Sequence, residues 1–363
     1  MKIYVFGTRG FPGIQGGVEK HCEALYTGLS NKFQITVFRR KPYVSESPSY
    51  PNIRFKDLYS TKIKGIEALF HSFLCAFFCI YQRPDIVHIH NIGPGCIIPL
   101  LRFFNLKVVL TYHSANYEHD KWGKLSKKML KVSEYIALRF SNQIIFVNRF
   151  QLEKQQAKIR NKSIYIPNGP SILKRNDCTD YISSLGLIPG KYILAVGRIT
   201  PEKGFDDLID AFLLLDMKEE YKLVIAGGVE HETNYLSYLK NKSNSQKIVY
   251  TGFIMGRALE ELYTHTRLFV LPSHNEGFPL VVLEAMQIGC DILLSDISAT
   301  RLLALSDDFY FSMGNVSDLT QRMKEKLNKS NFVVHSYNIL DFNWKKICQQ
   351  TGNIYNSLTK KTI

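Results

Sequence analysis

Asp-x-Asp occurs nowhere in the 363 residues. Paired carboxylates of that kind hold a divalent ion against a nucleotide diphosphate, so a diphosphate bound here needs other positive groups. Gly-x-Gly-x-x-Gly and the Walker pattern are also missing, which argues against a nicotinamide cofactor and against ATP. The seven cysteines are scattered and odd in number, with no Cys-x-x-Cys pair, and predict free thiols in a reducing cytoplasm. Long hydrophobic runs are lacking. The longest nearly apolar stretch, Ala68–Tyr81, contains His71 and Ser72 and falls short of the roughly 20 residues that cross a bilayer. The opening Met-Lys-Ile-Tyr-Val-Phe-Gly has neither the apolar core nor the cleavage site of a signal peptide and reads as a buried strand entering a Gly turn. No short repeat or low-complexity tract is present.

Acidic residues are scarce in one half only. Residues 1–170 carry 25 Lys and Arg against 10 Asp and Glu, whereas residues 171–363 carry 21 against 22, so the first half holds the whole net charge of +14. A one-sided excess points to an anionic partner on that half: a membrane surface, a lipid phosphate or nucleic acid. No aromatic-basic motif supports nucleic acid.

The length suits two domains, and the hydrophobic pattern shows a rhythm that runs twice. Strands are predicted at Ile3–Phe6, Ile35–Phe38, Ile86–Ile89, Val108–Thr111, Ile144–Val147 and Ser163–Ile166, with helices at Val18–Leu29, Ile66–Tyr81 and Leu125–Phe140. After residue 185 strands recur at Tyr192–Val196, Lys222–Ala226, Ile248–Thr251, Leu268–Leu271 and Asp291–Leu294. Helices at Phe205–Asp216, Asn234–Asn241, Ala258–His265 and Leu280–Ile288 separate them. Strands alternating with helices predict an α/β fold of two doubly wound, Rossmann-like halves. The turn Pro167-Asn-Gly-Pro170 marks the seam, Lys174–Asp180 reads as linker, and the aromatic-apolar segment Asp341–Leu358 fits on either half.

Glu276-Gly-Phe-Pro-Leu-Val-Val-Leu-Glu284 is the most informative segment. Pro279 suits a helix start, and the apolar run after it predicts a buried helix. Glu284 then sits where a carboxylate needs a partner, while the helix N-terminus offers an anion cradle. A loop carboxylate, an anion cradle and a second carboxylate suit a sugar attached to a phosphate. Val196-Gly-Arg-Ile-Thr-Pro-Glu-Lys-Gly204 places Arg198 and Lys203 beyond a strand's C-terminal end, where ligands of open α/β sheets bind. Two cations there can hold two phosphates. In the first half, Gly7-Thr-Arg-Gly10 and Ile14-Gln-Gly-Gly-Val-Glu19 follow strand one, and a glycine turn admits close approach of a phosphate or sugar.

His113 sits just past the fourth strand of that half, followed by Glu118, His119 and Asp120 as weaker candidates. His88 and His90 alternate along a strand end and offer a metal pair, but no third ligand has suitable spacing, so core or cleft-lining roles are preferred and no metal is expected. Lys121, Lys124, Lys127, Lys128 and Lys131 lie among Leu125, Met129, Leu130 and Ile136, a basic amphipathic element suited to an anionic membrane. Cys75 and Cys79, one turn apart, read as core.

Together these motifs resemble the family 4 retaining glycosyltransferases of the GT-B fold, over almost the whole chain. The pieces are Gly16-Gly-x-Glu19, Thr111-x-His113, Ile166-Pro-Asn-Gly169, Val196-Gly-Arg-x-x-x-Glu-Lys-Gly204, Glu276-Gly-Phe-Pro-Leu and Glu284-Ala-Met. Phe6–Pro12 and Thr111–Gly123 look most like bacterial surface-polysaccharide transferases, some of them rhamnosyltransferases.

The resemblance implies two Rossmann-like domains facing a cleft. Residues 1–170 would form the acceptor side, with a C-terminal helix of about 345–363 crossing back to it, and 171–344 would bind the nucleotide sugar. Arg198 and Lys203 would take the diphosphate, Glu284 the ribose, and Glu276 with Phe278, Pro279 and Leu280 the donor sugar and phosphate. Gly252 and Ile254 would lie near the base, and Gly16 and Gly17 would flank the diphosphate. His113 would touch the sugar, and Glu19 and Asn116 would lie on the acceptor side. One departure is Asn148-Arg149, where relatives often carry Ser.

The implied activity is metal-independent, retaining transfer of a hexose or deoxyhexose to a lipid-linked or polysaccharide acceptor. The setting would be capsule, O-antigen, lipopolysaccharide or exopolysaccharide synthesis at the inner face of a bacterial membrane, with no cofactor. The alternatives are a GT-B nucleotide-sugar epimerase, which needs acid/base groups around C2 and C3, and an inactive carbohydrate-binding scaffold.

Overall fold

The computed structural model describes residues 1–14, 16–44, 49–61, 66–115, 117, 123–216, 220–229, 234–242, 245–328 and 334–360. The chain divides into two units. The first comprises Met1–Gly169 with Asp341–Ile363, and the second Pro170–Leu340.

The first unit is built on a parallel sheet of β1 (Lys2–Phe6), β2 (Gln34–Arg40), β3 (Ile53–Leu58), β4 (Ile86–His90), β5 (Val108–Tyr112), β6 (Gln143–Phe146) and β7 (Ser163–Tyr165). Their order is β3-β2-β1-β4-β5-β6-β7. All five residues of β4 and all five of β5 are buried, as helices on both faces require of a parallel sheet. The strand order reverses between β1 and β4, and the loops leaving these two strands open a ligand-binding position. Gly7 follows β1 with φ +107, and a Cβ there would sit 2.1 Å from the His90 carbonyl oxygen. Only glycine lets the two loops meet so closely.

One face of this sheet is covered by α1 (Gly17–Leu29) and by the C-terminal helix Trp344–Thr359. Cys22, Leu25 and Leu29 of the first pack with Ile347, Ile354 and Tyr355 of the second. The C-terminal segment, which the sequence pattern left open to either half, therefore joins the first unit. Burial of an aliphatic chain such as Ile347 contributes about 1.5–3 kcal/mol. The other face carries α2 (Glu67–Gln82), α3 (Ile98–Phe103) and α4 (Lys124–Phe140). Cys75 and Cys79 of α2 are core residues.

The second unit repeats the plan with β8 (Tyr192–Val196), β9 (Lys222–Ala226), β10 (Ile248–Gly252), β11 (Leu268–Leu271), β12 (Ile292–Ser295) and β13 (Tyr310–Phe311). Their order is β10-β9-β8-β11-β12-β13, again all parallel, with the reversal between β8 and β11. The helix Leu280–Ile288 is buried on nearly every side and ends at Gly289, φ +84. A Cβ on Gly289 would lie 2.8 Å from the His335 carbonyl oxygen.

Several elements differ from the sequence reading. The strands β3 and β13 and the helix Val316–Leu327 were not expected, and the helix from Phe205 ends at Leu213 rather than Asp216. On α4, the expected basic amphipathic element, the apolar residues divide between the inner and outer faces. Ser133, Ala137 and Leu138 are buried, whereas Leu125 and Met129 are exposed beside the lysines.

Candidate active site

In the second unit the site is built where β8 and β11 separate. Gly197 leaves β8, and its carbonyl oxygen would lie 1.7 Å from a Cβ on Gly227, so the exits of β8 and β9 touch through glycine. The backbone then carries Arg198 to the short helical turn Pro201–Lys203 and reaches Gly204 at φ +62, the N-cap of the helix Phe205–Leu213. A Cβ on Gly204 would meet the Pro272 carbonyl oxygen at 2.2 Å. That approach locks the Lys203 loop against the end of β11. Two more ties hold it: the His274 amide donates to the Glu202 carbonyl at 2.9 Å, and His274 Nε2 lies 2.6 Å from Asp207 Oδ2.

Lys203 Nζ lies 2.5 Å from Glu276 Oε1, and the two side chains are only 14% and 10% exposed. Ser273 Oγ donates to the same Glu276 oxygen at 2.8 Å, and Ser295 Oγ fixes the Ser273 carbonyl at 2.5 Å. Four residues beyond Glu276 the helix Leu280–Ile288 begins, with Pro279 as its N-cap and Phe278, Pro279 and Leu280 buried. Its positive end faces out of the same loop. Arg198, Lys203, Glu276 and residues 278–280 thus occupy neighbouring loops at one sheet edge. Gly252 ends β10 at φ +71 and accepts from the Gly227 amide at 2.9 Å, which ties the Gly252–Ile254 turn to the same loops.

Glu284 is fully buried, and both its oxygens are engaged. Ser171 Oγ donates to Oε1 at 2.5 Å and Tyr263 Oη to Oε2 at 3.0 Å. Burial, followed by the Glu284 charge, raises the Tyr263 phenol far above its usual range, so it stays a donor. Ser171, Tyr263 and Ser273 carry no motif, and sequence reading missed them.

In the first unit Gly16 caps α1 at φ +154, and a Cβ on it would lie 2.0 Å from Glu19 Oε2. The Glu19 carboxylate turns back into this loop and accepts from the Arg9 amide at 3.3 Å. His113 follows β5 and is buried. Its Nε2 lies 3.0 Å from His90 Nδ1, and His90 Nε2 lies 2.6 Å from Tyr26 Oη. His88 Nδ1 meets Tyr355 Oη at 2.5 Å and Tyr26 Oη at 3.0 Å, while its Nε2 meets Thr111 Oγ1 at 2.7 Å. A polar chain therefore runs from the C-terminal helix to His113 beneath the sheet edge. His21 of α1 joins it, with its ring 4.9 Å from that of His113. Burial pushes the His21 imidazole down to about 4 and His88 to about 3, and drives His90 and His113 well below the ordinary histidine value. These rings are neutral at pH 7. Asn148 caps the helix Arg149–Glu153 by accepting from the amides of Phe150 and Gln151. Asn116, Glu118, His119, Asp120 and Lys121 lie outside the described residues.

Comparison with known proteins gives the same division of the chain. Residues 15–171 match the family model for glycosyltransferase family 4, and residues 186–335 match that for glycosyl transferases group 1. An uncharacterised glycosyltransferase of Methanocaldococcus jannaschii is 27% identical over 82% of this chain and 81% of its own length. The O-antigen chain mannosyltransferase B of Escherichia coli is 26% identical over 55% of this chain, which spans about half of that relative (54%). The structure of Anabaena HepE, solved with UDP and glucose, aligns over 98% of this chain and 99% of its own with a TM-score of 0.78 at 14% identity, and shows a shared fold. Two parallel Rossmann-like sheets of this arrangement define the GT-B class. The chain belongs to the family 4 glycosyltransferases of that class.

Proposed function

We propose that the protein is a retaining glycosyltransferase. It moves a hexose or deoxyhexose from a nucleotide-diphosphate sugar to a lipid-linked or polysaccharide acceptor in bacterial surface-glycan synthesis. The observation that carries this reading is the buried Lys203–Glu276 pair beside Arg198 and the N-terminus of the helix Leu280–Ile288. Cations and a helix dipole suit a diphosphate, and a carboxylate in the same loop suits sugar hydroxyls. The O-antigen mannosyltransferase among the relatives and the UDP in HepE agree with it.

Lys203 and Arg198 neutralise the diphosphate in place of a divalent ion. Glu276 accepts from sugar hydroxyls while its second partner, Ser273, keeps it aimed. Glu284 takes the ribose hydroxyls by exchanging the Ser171 hydroxyl for them. His113, fixed through Nε2 by His90, presents Nδ1 to the sugar, and Gly16 and Gly17 leave room for the phosphates. Gly252 and Ile254 border the base, and Glu19 and Asn116 serve the acceptor side. The bond from C1 to the phosphate oxygen breaks as the acceptor oxygen bonds C1 from the same face. The acceptor proton passes to the departing phosphate, and the protein acts by stabilising its charge. The direct test is a panel of nucleotide sugars with and without a glycolipid acceptor, with the product's anomeric configuration read by NMR. Retained configuration in an acceptor-dependent product is expected. Consumption of the donor without acceptor would show an epimerase, and no consumption a scaffold.

The surface of the first unit supports a lipid-linked acceptor. Phe70, Phe73, Phe77 and Tyr81 form an exposed stripe on α2, and Phe103 at the end of α3 is 83% exposed. Leu125, Met129, Val132 and Tyr135 are exposed on α4 between Lys124, Lys128 and Lys131. Aromatic side chains interleaved with lysines suit insertion into the headgroup layer of an anionic bilayer. Among the described residues no helix is long and apolar enough to cross it. We expect salt-sensitive flotation with anionic vesicles. Exchanging Lys124, Lys128 and Lys131 for Gln would weaken binding on the order of 100-fold, at about 1 kcal/mol per lysine. Equal binding to neutral vesicles would contradict this.

A further inference from the structure

We propose that His21, His90 and His113 form a binding site for a divalent transition metal, zinc in the first place, inside the first unit. One ligand atom from each of the three buried rings lies within 4.8 Å of the others. His90 Nδ1 and His113 Nε2 are already 3.0 Å apart. Tetrahedral metal–imidazole bonds of about 2.0–2.1 Å set nitrogen–nitrogen edges of about 3.3–3.4 Å, so this pair has to part by only about 0.3–0.4 Å to hold one ion. His21 has to close the rest of the gap from its place between the Trp344 ring and the Asn168 side chain. Both its ring nitrogens are buried with no hydrogen-bond partner among the described residues. A missing ion is one of the few explanations for a buried polar group left in that state. The Asn168 amide lies beside His21, and its Oδ1 is likewise buried and without a partner among the described residues.

The surrounding groups fit a ligand role. All three rings are buried, and imidazole ligates in its neutral form. His90 Nε2 has Tyr26 Oη at 2.6 Å, and Tyr26 is within 3.0 Å of His88 Nδ1. With a metal on Nδ1, the His90 Nε2 proton is donated to Tyr26, Tyr26 donates to His88, and His88 Nε2 donates to Thr111. Such outer partners orient metal-ligating histidines. No net proton is released: His113 passes from the Nε2–H to the Nδ1–H tautomer as the metal takes Nε2. The Nδ1–H then points away from the ion, available to a sugar. Neutral imidazoles favour zinc, cobalt, nickel or copper over magnesium and calcium. The ion sits among imidazoles of the first unit and has no part in neutralising a diphosphate. The inference stands or falls independently of the transferase reading, because metal content is measured without turnover.

The test uses the full chain, stripped with a chelator at pH 7.5, loaded with one equivalent of Zn²⁺ or Co²⁺ and desalted. One retained metal per chain is expected, with visible ligand-field bands from the cobalt form and a melting temperature raised by several degrees. His21→Ala should lower metal affinity on the order of 100-fold and abolish the bands, and Tyr26→Phe, which keeps all three ligands, should lower it about tenfold. Cys178 is exposed and could take up zinc by itself, so Cys178→Ser is expected to retain its metal. Should His21→Ala fail to fold, the cobalt spectrum of the wild type and the Tyr26→Phe affinity decide. A wild type that keeps no metal and shows no bands would overturn the site and leave a hydrogen-bonded stack of neutral imidazoles. Metal uptake in His21→Ala equal to wild type would overturn it as well.

Discussion

Replacing Lys203 by Ala lowers sugar transfer by about 10²–10³-fold, the effect of losing one preorganised group that stabilises charge in a transition state. Lys203 is ion-paired with Glu276, and in the proposed mechanism its ammonium stabilises the departing phosphate. Glu276→Gln gives a loss of the same order for a different reason. The amide keeps the shape and can still accept from Ser273, but it no longer anchors Lys203 or accepts strongly from sugar hydroxyls. The two losses should not add in the double variant, because each residue positions the other. Folding is retained in both, since the pair closes a loop and no core side chain changes. A modest fall in melting temperature accompanies Lys203→Ala, which leaves the Glu276 carboxylate with Ser273 alone. Initial rates at saturating donor, with circular dichroism as control for folding, check all three variants. Turnover near the wild-type value in either single variant would remove this loop from the active site.

Acidification should unfold the first unit well before ordinary acid denaturation. His21, His71, His88, His90 and His113 all belong to it, and burial is the first cause of the lowered value in every one. His21 and His71 fall to about 4 and His88 to about 3, against 6.5 for the unfolded chain. Because the folded value lies below the unfolded one, the stability is fully present above pH 6.5 and is lost as the pH falls towards 4. Each such ring costs about 1.4 kcal/mol per pH unit below 6.5. Several acting together at pH 5.5 approach the whole stability of an ordinary domain, about 5–15 kcal/mol. The urea midpoint followed by near-ultraviolet circular dichroism should therefore drop sharply between pH 7.5 and 5.5. An unchanged midpoint would show that these rings protonate in place without cost. Zinc bound at the proposed site would move the transition to lower pH, since protons and metal compete for the same nitrogens.

What could be read before the structure depended on how local each signal was. β1, β4, β5, β8 and β11 are unbroken apolar runs, and the glycines after β1 and β8 mark both strand-order reversals. β3 was missed because it is an edge strand. Ile53-Arg-Phe-Lys-Asp-Leu58 mixes charge with apolar residues, and Asp57 is there to pair with buried Arg39 of β2, at 2.7 Å from its Nε. β13 has only two residues and no pattern to find. The sequence makes α4 a basic amphipathic element without saying which side chains turn inward; the unit uses small Ser133 and Ala137 for its inner contact and turns Leu125 and Met129 out.

At the site, Lys203 and Glu276 were legible because turn glycines and prolines flank them. Their contact was not, since it joins residues 73 apart. The carboxylate of Glu284 called for a partner, but Ser171 lies 113 residues away, just past the Pro167–Pro170 turn. The histidine cluster was half visible. His88 and His90 drew notice as a possible pair without a third ligand, whereas the grouping takes His90 alone and adds His21 from α1 and His113 from beyond β5. His21 falls on the inward face of α1 with Cys22 and Leu25, and a histidine at an inward helical position was the one sign of it in the sequence.

The central claim is that the loops around Lys203 bind a nucleotide diphosphate through its phosphates. Titration calorimetry of nucleosides and of the matching nucleoside diphosphates into wild type and Lys203→Ala tests it most directly. One diphosphate should bind the wild type at least tenfold more tightly than its nucleoside, and Lys203→Ala should erase that difference while leaving nucleoside binding unchanged. Equal affinity for nucleoside and diphosphate in the wild type, or a diphosphate preference that survives in Lys203→Ala, would contradict it.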